Sequence, residues 1–389
     1  MKKKIIRITT IPASLRGLLK GQLRFMSNHF EIIAVSSKLD GLLKEVGDYE
    51  GVKTIPVEMT RKITPLKDLI GVYKLYKIFK NEKPIIVHTH TPKAGTLGML
   101  AAKLARVPYR LHTIAGLPLV ESVGMKRKLL NSVEGLTYRC ATKIYPNSYG
   151  LKNIILENKF TTEDKMEVIG NGSSNGIDTT HYDPSRYSEN DKKELRKKLG
   201  IKLNEFVFIF VGRLVGDKGI HELIDSFVKF SSTQTKAKLL LVGTYETHRD
   251  PLNSETVEII NNNKNIIHAG WQNDVRPFLS ISNALTFPSY REGFPNVVLQ
   301  AGAMNLPCIV SNINGCNEII TNNINGIIVP VKNANEIYNA MEALILKSKD
   351  ELNIMGGKSR DLIISKYDQS FVWNAILAEY NNLIEKHIN

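Results

Sequence analysis

Apolar and polar positions fall into two repeating patterns along the chain: short apolar runs of strand length, and longer stretches with apolar residues three or four apart. Residues 4–10 open with an apolar run and predict a strand, 11–17 the loop after it, 18–28 a helix and 30–36 a second strand. Residues 55–57 predict a short strand, 65–81 a long amphipathic helix, and 84–89 a buried strand. An Ala- and Leu-rich helix at 94–105 follows, and 110–114, 143–146 and 166–169 read as further strands. Residues 171–187, rich in Gly, Ser, Asn, Asp and Pro, read as an interdomain linker.

After a charged helix at 191–199 the alternation restarts. Strands are expected at 206–211, 238–242, 266–268, 284–287, 307–310 and 326–329, with helical spacing at 221–231, 254–261, 275–282, 297–304 and 317–321. Helices across 335–347, 351–366 and 370–387 close the pattern. Such alternation implies parallel sheets covered by helices on both faces. The expectation is an α/β protein of two Rossmann-like, doubly wound domains facing each other across a cleft. Residues 1–180 form the first domain and 190–366 the second.

Composition narrows the class. A chain of 389 residues, 42% hydrophobic and 23% charged, matches a soluble globular protein with room for two cores. No run of eighteen apolar residues predicts a membrane span. The start, Met1-Lys2-Lys3-Lys4-Ile5-Ile6-Arg7-Ile8, has too short an apolar part for a signal peptide and reads as the first strand. Cys140, Cys308 and Cys316 are few, scattered and odd in number, which points to a reducing, cytoplasmic compartment without disulfides or structural zinc. A net charge of +14 calls for phosphate-bearing partners: nucleic acid, an anionic membrane surface or diphosphate ligands. No RNP aromatic pattern or zinc-finger spacing accompanies the charge, so nucleic acid is set aside.

Two stretches carry candidate chemistry. Tyr290-Arg291-Glu292-Gly293-Phe294-Pro295-Asn296-Val297-Val298-Leu299-Gln300 joins a buried strand to a helix, at the carboxyl end of a strand, where open α/β sheets bind ligands. The N–H groups of Phe294, Asn296 and Val297 suit an anion or hydroxyls, and Glu292 and Gln300 can each grip a diol. An ordinary βα loop with a surface Glu is the plain alternative. Upstream, Val211-Gly212-Arg213-Leu214-Val215-Gly216-Asp217-Lys218-Gly219 ends another strand. Its glycines admit a ligand closely, Arg213 offers a bidentate fork and Lys218 a point charge. Two cations beside a helix N-terminus neutralise a diphosphate without a metal. The spacing is neither Walker A nor the Gly-x-Gly-x-x-Gly fingerprint, which ranks a dehydrogenase low. His88 and His90 share one strand face, and with no third ligand at a suitable spacing zinc is not expected.

Gly212-Arg213…Lys218-Gly219, Pro288-Ser289…Glu292-Gly293 and Gly302…Pro307 together resemble the core signature of retaining glycosyltransferase family 4. That family has the GT-B architecture and uses nucleotide-sugar donors. The likeness covers almost the whole chain: Asn175-Gly176-Ile177-Asp178, with Tyr182 and Pro184, is similar to the family's linker, and Val242-Gly243, Gly270 and Asn325-Gly326 fall at its other turns. The segment from His88 to Gly95 and that from His112 to Pro118 resemble a narrower group. Its members transfer hexosyl or N-acetylhexosaminyl units to polyprenyl-diphosphate-linked sugars in capsule, O-antigen or glycoprotein glycan assembly.

The resemblance implies a site. Arg213 and Lys218 bind the donor diphosphate, a UDP-sugar, with no cofactor and no metal. Glu292 holds the transferred hexose, and Gly212, Gly293, Phe294, Pro295, Asn296 and Val297 line it. Position 300, where the family places a ribose-binding Glu, is Gln300 here, which hydrogen-bonds without charge and has no acid–base role. Gly270 and Trp271 fall at the base-contacting loop. His112 serves the hexose hydroxyls or the charge developing at the anomeric centre. Ser14, Arg16 and Gly17 lie in the first βα loop, on the acceptor side with His90; the double glycine usual there is missing, and Arg16 is assigned to acceptor phosphate. The helix at 367–389 crosses back onto the first domain.

Residues 119–143 set Lys126, Arg127, Lys128, Arg139 and Lys143 against Leu129, Leu130, Val133, Leu136 and Tyr138. A basic amphipathic stretch of this kind can lie on an anionic membrane, or pack on its own sheet. Peripheral binding at the inner face of the cell membrane is the expectation. Two rivals stand beside the transferase: a nucleotide-sugar epimerase or hydrolase on the same fold, and a non-catalytic nucleotide-sugar-binding protein.

Overall fold

Strand β1 (Lys4–Ile8) is buried at every position but the first and pairs in parallel on both sides, with β2 (Glu31–Ser36) and β4 (Ile86–Thr89). Its Ile-rich run fits a central strand covered on both faces. With β3 (Lys53–Pro56), β5 (Tyr109–Ile114) and β6 (Lys143–Pro146) it forms a six-stranded sheet ordered β3-β2-β1-β4-β5-β6. The second sheet repeats the plan. β7 (Phe206–Val211), β8 (Ala237–Val242), β9 (Ile266–Gly270), β10 (Ala284–Phe287), β11 (Cys308–Ser311) and β12 (Gly326–Val329) are ordered β12-β11-β10-β7-β8-β9. Strand order reverses between β1 and β4 in the first sheet and between β7 and β10 in the second. Doubly wound sheets open a crevice for ligands at such points.

The structure is a computed structural model and describes residues 2–60, 64–117, 124–248 and 250–388. Pro118 and residues 119–123 of the amphipathic stretch lie outside the described residues, as do the side chains of Lys126 and Ile388. The chain divides into two compact units, Met1–Gly176 with Ser370–Asn389, and Ile177–Gln369. No helix among the described residues is long and apolar enough to cross a membrane.

In the first unit, helices Pro65–Glu82, Pro92–Leu104 and Gly124–Cys140 cover one sheet face, burying Val72, Leu75, Phe79, Leu97 and Tyr138. The other face is covered by Leu15, Leu23, Met26, Leu43 and Val46, and by Val372, Ile376, Tyr380, Leu383 and Ile384 of the helix Gln369–Ile388. In the second unit, Phe208, Phe210, Phe227, Phe230 and Phe287 belong to one continuous core.

Four elements differ from the sequence reading. The expected loop at 11–17 is mostly the helix Pro12–Leu18: Pro12 presets φ at its first turn and Leu15 buries inward. So Ser14, Arg16 and Gly17 sit on a helix. Residues 166–169 do not form a strand; Met166 makes a single bridge to Ile144. Two helices were not anticipated. Leu42–Glu50 lies between Gly41 and Gly51, both with positive φ, and Tyr149–Glu157 is capped by Ser148, whose Oγ accepts from Leu151 N at 3.1 Å.

Candidate functional site

The switch point of the second sheet is where the two chemistry-bearing stretches meet. The segment after β7 carries Gly212, Arg213 and, in a short 3₁₀ turn, Lys218; the segment after β10 carries Glu292. β7 and β10 are neighbours, so the ends of both segments converge. The Lys218 ammonium donates to the Glu292 carboxylate, and both side chains are only 17% exposed. Glu292 also accepts from Ser289 Oγ at 3.0 Å, and Lys218 Nζ lies 5.5 Å from the centre of the Phe287 ring. Backbone and side-chain bonds knit the segments together: Tyr290 N donates to Asp217 O at 2.9 Å, and Arg291 pairs with Asp217 at 2.9 Å. Tyr290 Oη donates to Glu222 at 2.6 Å; burial, then the Glu222 bond, push its phenol well above the usual range.

Close backbone approach requires glycine at two positions. A Cβ on Gly219 (φ +69°) would stand 2.2 Å from Pro288 O, and one on Gly243 (φ +150°) 1.8 Å from Gly212 O. Gly212, Gly243 and Gly270 follow one another across the sheet ends: Gly212 N donates to Val242 O and Gly243 N to Gly270 O, each at 2.9 Å. Next to them Trp271 is 70% exposed, with no core position. Gly293, Phe294 and Pro295 are buried at the start of the helix Asn296–Ala303, with Asn296 exposed and Val297 and Gln300 half-buried. Arg213 stands apart, half-exposed and paired with Glu246. Asn314 and Gly315 went unnoticed in the sequence: Asn314 Nδ2 donates to the Glu292 and Gly293 carbonyls, and Gly315 (φ +77°) gives the turn room against Gly293 O. The Asn-Gly dipeptide was the available signal.

The first unit holds His88, His90 and His112 inside. His88 Nδ1 lies 2.6 Å from Tyr380 Oη and its Nε2 2.7 Å from Thr113 Oγ1, so both ring nitrogens are engaged. His90 is 4% exposed and stacks on His88 at 4.2 Å; its Nε2 accepts from Arg7 Nε at 2.9 Å. Arg7 is itself fully buried and donates to Gln22 at 2.5 Å. His112 Nδ1 pairs with Thr89 Oγ1 at 2.8 Å, and its ring lies against Gly95, where a Cβ would come within 2.4 Å. The face shared by His88 and His90 is therefore an interior one, and His90 is not displayed at a surface. Arg16 is exposed and lines, with Lys20, Leu42, Glu45, Val46, Tyr49 and Glu50, a cavity of about 270 Å³.

Burial lowers the pKa of all three histidines: His88 and His90 well below the ordinary value, with Arg7 adding to the effect, and His112 to about 4. His112 is thus a neutral ring, without positive charge, at neutral pH. The unfolded rings protonate near pH 6.5 while the folded ones do not. Their stabilising contribution is therefore complete above pH 6.5 and declines as pH falls below it, for His112 until about pH 4. Urea unfolding at pH 7 and pH 5 should show this fall, and His112→Asn should make it shallower. Equal stabilities at the two pH values would contradict burial as neutral rings.

Two doubly wound sheets, the second with a cation–carboxylate pair at its switch point, make up the GT-B architecture. Comparison with known proteins agrees. Residues 191–361 match the family Glycosyl transferases group 1, and residues 30–172 match the Glycosyl transferase 4-like domain. The capsular polysaccharide biosynthesis glycosyltransferase CapM of Staphylococcus aureus is 33% identical over 386 residues, spanning 99% of this chain and 98% of its own. The UDP-Gal:alpha-D-GlcNAc-diphosphoundecaprenol alpha-1,3-galactosyltransferase of Escherichia coli is 31% identical over 379 residues, 95% of each chain. The crystal structure of Anabaena HepE in complex with UDP shares the fold, with a TM-score of 0.82 at 18% identity over 98% of this chain and 100% of its own. The chain belongs to glycosyltransferase family 4, and its chemistry is glycosyl transfer.

Proposed function

We propose that the protein is a metal-independent, retaining transferase that moves a hexosyl or N-acetylhexosaminyl unit from a UDP-sugar to a polyprenyl-diphosphate-linked saccharide, in surface-polysaccharide assembly. The observation that carries this reading is the Lys218–Glu292 pair at the β7/β10 switch point, beside the helix Asn296–Ala303. Lys218 stabilises the departing diphosphate, with Arg213 swinging from Glu246 to join it, so that the cations take the role a metal has elsewhere. Glu292 holds the sugar hydroxyls, the Gly293–Val297 backbone lines the sugar, Gln300 bonds the ribose, and Gly270 and Trp271 border the base. The glycosidic C1–O bond to the β-phosphate breaks, the acceptor oxygen bonds to C1 on the same face, and its proton passes to the departing phosphate. No side chain is asked to form a covalent intermediate. The acceptor lies on the first unit, with Arg16 on its phosphate, at the inner face of the cell membrane. UDP is favoured by the name of the E. coli relative and by the nucleotide bound to HepE; the lipid-linked acceptor is favoured by the name of the E. coli relative.

Ligand-dependent thermal stabilisation tests the donor site. At about 100 times its dissociation constant, UDP should add about 2.7 kcal/mol to the wild type. Arg213→Ala and Lys218→Ala should show no such shift. A response to GDP in place of UDP would change the donor class; no response to UDP, GDP or ADP would overturn the reading.

A further inference from the structure

The cations in the segments after β7 and β10 each have a carboxylate of their own: Lys218 has Glu292, Arg291 has Asp217 and Arg213 has Glu246. An incoming diphosphate has to open at least one of these pairs. Exposure decides which one yields. The Lys218 and Glu292 side chains are both 17% exposed, and Asp217 is 16% exposed beside Arg291, whereas Arg213 and Glu246 are 47% and 34% exposed. A pair screened by water gains little from its contact, while breaking a shielded one strands a charge. Arg213–Glu246 is therefore the pair that opens.

Glu246 cannot follow Arg213 far. It belongs to the segment after β8, which is fastened to the segment after β7 at two points. Before Glu246, Leu214 N donates to Thr244 O at 2.9 Å, and Leu214 and Tyr245 form a parallel bridge. The Tyr245 ring also packs edge-on against His268 at 4.9 Å. After Glu246, Gly216 N donates to Asp250 O at 3.0 Å, and Asp217 N donates to the Asp250 carboxylate. A Cβ on Gly216 would stand 3.0 Å from both oxygens of that carboxylate. With the segment tied on both sides, the Glu246 carboxylate stays beside the place that Arg213 leaves.

We propose that Glu246 is a specificity-determining residue that separates the sugar donor from the spent nucleotide by charge. The inference rests on the proposed donor site. Once the guanidinium has turned to the diphosphate, the Glu246 carboxylate faces the same phosphates without a partner. A nucleoside diphosphate joined to a sugar carries about two negative charges. After transfer, the acceptor's proton leaves on the freed terminal phosphate and is lost to water above about pH 6, which brings the total to about three. One extra charge at about 6 Å from a carboxylate lowers affinity by about three- to tenfold, at dielectrics between bulk water and a protein surface. The carboxylate thus disfavours the product more than the substrate, and the nucleotide departs sooner once the sugar has gone.

Isothermal titration at about pH 7.5 reads the effect, with UDP as the product and UDP-glucose, UDP-galactose and UDP-N-acetylglucosamine as sugar-bearing probes. Glu246→Gln keeps the size of the side chain and removes its charge. It should bind UDP at least about tenfold more tightly than the wild type, with an unchanged melting temperature. That gain should exceed, by about three- to tenfold, the gain for whichever sugar nucleotide the wild type binds. Salt at about 0.5 M should shrink both gains. Asp361→Asn removes an exposed carboxylate from the helix Lys349–Tyr367 of the same unit, and should bind UDP as the wild type does. Unchanged or weaker UDP binding by Glu246→Gln, with wild-type binding intact, would overturn the inference and leave the donor site standing; a residue that only orients Arg213 gives that result. Equal gains for UDP and the sugar nucleotide would overturn it as well. If neither protein binds UDP or any of the three sugar nucleotides, the donor site and the inference fall together.

Discussion

Alanine at Lys218 is expected to lower kcat/KM for sugar transfer by at least about a hundredfold, the order found when a donor aimed at developing negative charge is removed. The ammonium has two partners to serve. In the structure it neutralises Glu292, a carboxylate that is mostly buried and bonded to Ser289. In the proposed reaction it faces the diphosphate as that group leaves. A loss in Lys218→Ala alone does not separate the two, because breaking a partly buried ion pair also leaves an uncompensated charge. The double variant Lys218→Ala/Glu292→Gln does. If Lys218 serves only to hold Glu292, removing the stranded charge restores much of the lost activity. If it acts on the leaving group, the double variant stays at least as poor as the single one, and steady-state kinetics on a UDP-sugar and a lipid-linked acceptor reads the difference. Recovery to within about threefold of Glu292→Gln alone would sink the leaving-group role, since a donor aimed at developing charge is worth far more than that.

Ending the chain after Gln369 is expected to unfold the first unit and spare the second. The helix Gln369–Ile388 supplies Val372, Ile376, Tyr380, Leu383 and Ile384 to one face of the first sheet, and none of these is more than 7% exposed. At about 1.5–3 kcal/mol for each large apolar side chain buried, their removal is comparable to the roughly 5–15 kcal/mol that holds an average domain together. Polar losses add to it. His88 Nδ1 loses Tyr380, and the buried Tyr145 hydroxyl loses Glu379, to which it donates at 2.7 Å. Calorimetry of the truncated chain should show one cooperative transition, and limited proteolysis should leave a resistant fragment beginning near Ile177. Two transitions in the truncated chain would show that the helix is dispensable.

How far the sequence could be read depended on distance along the chain. Runs such as Phe206 to Val211 and Ala284 to Phe287 declare themselves, because buried parallel strands are continuous apolar segments bounded by turns. The Lys218 and Glu292 stretches were legible for the same reason: each directly follows such a strand. The helix Pro12–Leu18 was not, since its seven residues hold too few turns for periodicity to show and Gly17 argues against it. The face of His88 was out of reach, because Tyr380 stands 292 residues away. On Pro65–Glu82 the pattern shows an amphipathic helix, and only burial tells that the core uses Val72, Leu75 and Phe79 but not Leu66, Leu69, Ile70 and Tyr73.

The contribution of residues 370–389 to the first sheet also sets the order in which the protein is made. A unit whose residues are continuous, such as Ile177–Gln369, can close as soon as it clears the ribosome. The first unit, although synthesised earlier, lacks one wall until everything between Ile177 and Gln369 has been added. At about 5–20 residues per second that wait is on the order of ten to forty seconds. Through that interval the face of Ile5, Ile86, Leu111 and Tyr145 lacks the cover of Val372, Ile376, Tyr380, Leu383 and Ile384, and the nascent chain presents a partly open sheet face that chaperones are built to hold.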